Sequence, residues 1–149
     1  MRSFLILVVA LCTATIVVAA DLSPKDVITQ FYRAHRSKHD PLDKTDSLGR
    51  YFAPELLKLY LKDIKEANGE VGRVDSDPLY NAQLTEISDF TISEAERVGT
   101  ETRVTVRFKN LGKATRIVYA LIHTPDGWRI TDIRYEDGSS LKKILQSDL

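Results

Sequence analysis

The sequence predicts an α+β fold: N-terminal helices packed on a strongly curved, cone-shaped antiparallel sheet of about four strands, with a short C-terminal helix. Two observations carry this. Apolar residues recur at helical spacing as far as Asn68-Gly69 and switch to alternation after Pro78. The strand candidates then follow one another through short turns with no helix between them, which is a meander and not a βαβ pattern. With 149 residues the chain has room for one domain of ordinary size.

The first helix begins at Ser23-Pro24-Lys25-Asp26, where Ser23 can cap, Pro24 suits the first turn and Asp26 sits three residues after the cap. Val27, Ile28, Phe31, Tyr32 and His35 form its buried stripe, and Ser37-Lys38-His39-Asp40-Pro41 ends it. A short turn carrying Leu48, Tyr51 and Phe52 follows. Pro54 and Glu55 then open a second helix with Leu56, Leu57, Tyr60, Leu61 and Ile64 as its stripe and Asn68-Gly69 as its stop. Its Lys58, Lys62 and Lys65 alternate with Asp63 and Glu66, the pattern of a solvated face. Gly69 to Pro78 is predicted to be a long loop, and loops of that length are uncommon without a reason.

Four strands are expected next. Ala82–Ser93 breaks its own alternation, which predicts a bend or bulge. Thr100–Lys109 sets Val104, Val106 and Phe108 against Arg103, Thr105 and Arg107, and Asn110-Leu111-Gly112-Lys113 turns the chain. Ala114–Thr124 is apolar on both faces, as in a strand covered on both sides or placed mid-sheet. After Thr124-Pro125-Asp126-Gly127 comes Gly127–Tyr135, expected as a central strand with Trp128 packed under the helices. Its parity break predicts a bulge at Thr131–Asp132. Ser139 and Ser140 read as the cap of a last helix carrying Leu141, Ile144 and Leu145.

Residues 1–20 have the form of a signal peptide: Arg2, an apolar run from Phe4 to Val18, then Val18-Ala19-Ala20. Cleavage after Ala20 would leave a single domain over residues 21–149 and place it in the periplasm or outside the cell. The single cysteine, Cys12, lies in that segment, so the mature domain would have no disulfide, thiolate metal site or cysteine nucleophile. Removing Arg2 leaves 20 basic against 21 acidic residues, with no basic stripe for nucleic acid.

Asp77 is the first candidate for chemistry, as a general base or ligand-gripping carboxylate at the mouth of the cone. The bland alternative is an aspartate that starts the turn before Pro78. Tyr80 and Gln83 could line that mouth as hydrogen-bonding groups. His123 shares strand parity with Tyr119 and Leu121, so it is a second candidate base, with Tyr119 orienting a ligand. No histidines have metal-ligand spacing and no phosphate loop is present, so neither a metal nor a cofactor is expected.

Several of these residues carry a resemblance. Phe31-Tyr32, Tyr51-Phe52 before Pro54-Glu55-Leu56-Leu57, and the Gly127-Trp128…Tyr135 strand resemble the nuclear transport factor 2-like (cystatin-like) fold. Asp77-Pro78-Leu79 with Gln83, and Tyr135 with Gly138-Ser139-Ser140-Leu141, resemble the bacterial family known as domain of unknown function 3828. The chain departs from that family where Leu84 follows Gln83 in place of a second acid. The resemblance implies an envelope or secreted protein in a fold that hosts isomerases, hydratases and binding modules, with homodimers across the sheet face. The expected function is a non-catalytic binding module for a small apolar ligand or an envelope protein. The alternatives are a small cofactor-independent isomerase or hydratase, and an immunity or inhibitor protein whose long loop enters a partner.

Overall fold

The computed structural model describes residues 21–148. The signal-peptide reading falls on residues 1–20 and lies outside them. Helix α1 spans Pro24–His35, a 3-10 turn spans Thr45–Arg50, and α2 spans Pro54–Ala67. Five strands follow: β1 Ile87–Ile92, β2 Glu96–Val98, β3 Glu101–Asn110, β4 Lys113–Thr124 and β5 Gly127–Arg134. Helix α3, Leu141–Leu145, ends the domain. The α+β class is as the sequence predicts.

Local chemistry sets the helix ends. Ser23 Oγ accepts the Asp26 amide at 3.1 Å, and Asn68 takes the left-handed conformation that stops α2 (φ 49°). Ser140 caps α3 by accepting from the Lys143 amide. Among the described residues no helix is long and apolar enough to cross a membrane.

The antiparallel sheet runs in the order β1-β3-β4-β5, with β2 continuing the β1 edge against β3. Strand β2 escaped sequence reading because three exposed residues before Gly99-Thr100 show no apolar alternation. Both expected bulges are present. Asp89 sits at φ 51° where the β1–β3 register shifts between Ser88 and Thr91. On β5, Ala120 pairs with Asp132 and Leu121 with Ile130, so Thr131 is the extra residue.

Strand β5 is an edge strand, contrary to the central position expected. Its free side is covered by the segment before α2: the Ala53 amide donates to the Ile130 carbonyl at 2.8 Å and the Ile130 amide to Tyr51 at 2.7 Å. Trp128 is only half-buried: it packs against the edge of the core, with Val27 and Gln30 of α1 nearby and His123 on its other side. The doubly apolar β4 is mid-sheet, and its second face is covered only in part: Ala120 is buried and Val118 half-buried, while Ile122 remains exposed.

The core lies between the helices and the inner sheet face. Ile28, Phe31, Leu48, Phe52, Leu56, Leu79, Ile117, Tyr119, Ile130 and Ile133 are fully buried there. Each such aliphatic or aromatic side chain contributes about 1.5–3 kcal/mol by leaving water. These side chains plug the cone.

The loop between α2 and β1 is held from beneath. Asp63 is buried, which corrects its placement on a solvated face. Its carboxylate accepts the Arg73 and Val74 amides at 2.9 and 3.2 Å and the Arg73 guanidinium at 3.0 Å. A Cβ on Gly72 would stand 2.5 Å from Asp63 Oδ2, so this position must be glycine for the carboxylate to reach the loop.

Candidate functional site

One cleft stands out, an open depression of about 820 Å³ between the second half of α1 and β1. Its floor is apolar: Tyr32, Tyr80, Phe90, Ile87 and Ile92. Phe90 lies edge-on to Tyr32 at 4.9 Å and stacks on Phe108 at 6.2 Å. Thr29, Arg33 and Arg36 line the helix side of the cleft, recurring at the spacing of one helix face. No carboxylate pairs with Arg33 or Arg36 among the described residues, and both are exposed. Asp77, Tyr80 and His35 complete the wall.

Asp77 is fully engaged. Its Oδ1 accepts the Leu79 amide at 2.8 Å, the turn-forming bond expected of an aspartate before proline. Its Oδ2 meets His35 Nε2 at 2.7 Å. The other ring nitrogen, His35 Nδ1, stands 2.8 Å from Asp40 Oδ2, an ion-pair contact whose angle falls outside hydrogen-bond geometry. Burial alone would lower the His35 pKa. The hydrogen bond and charge of Asp77, with Asp40 behind, overcome it and push the pKa up to about 9. At neutral pH His35 is therefore a cation clamped between two carboxylates.

Three buried tyrosines fix the same turn. Tyr32 Oη donates to the Leu79 carbonyl at 2.7 Å, Tyr135 Oη to the Pro78 carbonyl at 3.1 Å, and Tyr119 Oη to Tyr32 Oη at 2.8 Å. Burial raises the pKa of all three far above the usual phenol value, so each hydroxyl stays protonated and committed to its acceptor.

The expected site residues are thus only partly brought together. Asp77 and Tyr80 share the cleft wall. Tyr119 lies wholly buried beneath it with its hydroxyl taken. Gln83 points outside, reaching only the Asp75 carbonyl at 3.4 Å. His123 is at the far end of β4, away from the Lys113–Ile117 end near Tyr80, and pairs with Asp21 at 2.5 Å. The β4 parity that linked it to Tyr119 does not bury it; it is exposed beside the β4–β5 turn. His35, Arg33, Arg36 and Phe90 went unassigned in the sequence. The available signal was His35 at the end of an apolar helical stripe, where a buried histidine needs partners.

Among the described residues no three His, Cys, Asp or Glu side chains gather in a way that would hold a metal ion. No family model matches the chain, and no curated protein matches it at a significant level. Two solved chains are similar. One, from the type VI effector–immunity complex Tae3–Tai3 of Ralstonia pickettii, is 18% identical with a TM-score of 0.56, covering 76% of this chain and 97% of that chain. The other is a phospholipid-binding protein from Ralstonia solanacearum, in complex with a phospholipid. It is 16% identical over 80% of this chain and 71% of that chain, and its TM-score of 0.38 is too low to carry an argument. At these identities the first likeness is one of fold: this chain shares the architecture of a protein from an effector–immunity complex.

Proposed function

We propose that the protein is an exported, non-catalytic binding module of the nuclear transport factor 2-like group and the domain of unknown function 3828 family, acting in the bacterial envelope through the α1–β1 cleft. One observation carries this reading: the cleft offers an apolar floor in which Phe90 is exposed and two arginines that no carboxylate pairs among the described residues, while the carboxylate lining it is already committed to His35 and a turn. Such a surface favours holding a partner over moving a proton. The isomerase-type reading needs Asp77 or His123 to converge with Tyr119 on one open pocket, and these groups lie in three separate surroundings. N-terminal sequencing of the exported protein should begin at Asp21. Tagged mature protein should retain an envelope component that the Arg33→Glu, Arg36→Glu double variant releases. Turnover of a small apolar substrate, abolished by Asp77→Ala in a folded protein, would contradict the reading.

A second reading, an immunity or inhibitor protein, is favoured by the loop after α2. Asp63 pins it at Arg73–Val74 and His35 pins it at Asp77, while Val71, two residues ahead of the first anchor, stays 70% exposed. A loop held rigid before binding loses little entropy on entering a partner's cleft. The fold shared with a chain of an effector–immunity complex is in keeping with that. If this reading holds, Val71→Asp should abolish co-purification of a stoichiometric envelope protein, and the arginine double variant should leave it intact.

A further inference from the structure

Resting on the binding-module reading, we propose that the α1–β1 cleft takes a small anionic amphiphile, its acidic head held by Arg33 and Arg36 and its apolar body laid over Phe90, Ile87 and Ile92. Three features converge on that chemistry. Arg33 stands in the last turn of α1 and Arg36 is its C-cap three residues on, both lining the cleft, so the two can share one anion. Neither is matched by a carboxylate among the described residues, whereas Glu94 is paired with Lys25, Asp89 with Lys109, and Asp77 and Asp40 with His35. Among the residues lining the cleft, Arg33, Arg36 and the protonated His35 stand against a single carboxylate, Asp77.

The apolar half is equally specific. Phe90 is 38% exposed although its ring packs between Tyr32 and Phe108, so one face of an otherwise core-like aromatic cluster is open to solvent. The Asp89 bulge, with its positive φ, places Phe90 there by breaking the β1–β3 register. A volume of about 820 Å³ is within the range of small-molecule sites and exceeds what a bare inorganic anion needs. A wholly apolar ligand would leave the arginines unmatched, and a wholly polar one would leave the floor wet. Both halves together select an acid with a hydrocarbon body.

Dodecanoate is the probe, measured by calorimetry on the mature protein beside dodecyl maltoside, acetate and inorganic phosphate. Saturable binding of dodecanoate at least about tenfold tighter than each of the other three is expected. Weakening of at least about tenfold in Arg33→Glu, Arg36→Glu, with the melting temperature unchanged, is expected too. Both side chains are on the surface, so the fold should tolerate the change. A milder Arg33→Gln, Arg36→Gln pair serves if it does not. Equal binding of the uncharged detergent, binding of phosphate as tight as of dodecanoate, or indifference to charge reversal would overturn the proposal. No dodecanoate binding, with an envelope protein still captured through the same arginines, would sink the ligand class and leave the binding-module reading standing. Loss of both would sink the two together.

Discussion

Two histidine–aspartate pairs, nearly equal in length, do different things in this molecule. His35 and Asp77 meet at 2.7 Å on the wall of the cleft, with side chains only 13% and 23% exposed. His123 and Asp21 meet at 2.5 Å on the β4–β5 side, with about half of each side chain in solvent. The first pair is backed by a second carboxylate, a turn amide and a tyrosine network, so it fixes where the loop lies. The second ties an N-terminal residue to a hairpin and competes with water. Surroundings, not separation, decide what an ion pair is worth.

The largest expected effect comes from breaking the buried pair. His35→Ala leaves Asp40 and Asp77 facing one another without a cation and should lower stability by about 3 kcal/mol in chemical denaturation. Asp63→Ala provides a second comparison on the same loop, where the buried carboxylate is paired with Arg73 instead of a histidine. It strands the Arg73 and Val74 amides and should cost about 2 kcal/mol, with faster hydrogen exchange over residues 70–76.

The pH dependence sharpens the contrast. The His35 pKa is raised from about 6.5 unfolded to about 9 folded, so its stabilisation is complete below pH 6.5 and fades as the pH climbs through 9. Stability should therefore fall by about 1–2 kcal/mol between pH 6.5 and 9.5, after allowance for solvent screening. His35→Gln should flatten that slope, and His123→Gln should not. Smallest of all, His123→Gln at pH 6 should change stability by less than about 0.5 kcal/mol.

The same contrast explains what could be read in the sequence. The Ser23 and Ser140 caps, the two bulges, the Leu111-Gly112 turn and the inward Val104-Val106-Phe108 row are local signals, and each appears where its residues predict it. The β5 edge position was not local: it depends on Tyr51–Ala53 crossing from another element to cover Ile130. The site followed the same rule. Asp77 was legible as a turn aspartate, but its histidine lies 42 residues away, and nothing in one sequence ties the two. Asp63 looked solvated because its neighbours are charged. Only the returning loop, admitted by Gly72, buries it. Strand parity makes His123 a candidate because it fixes the face of a strand and says nothing about which end of it is covered.

The central claim is that His35 stands as a cation clamped between Asp77 and Asp40 on the wall of the cleft. Titration of the His35 ring resonances by NMR tests this directly. A midpoint near 9, shifted down in Asp77→Asn, is the predicted result; a midpoint at or below 6.5, indifferent to Asp77, would contradict it.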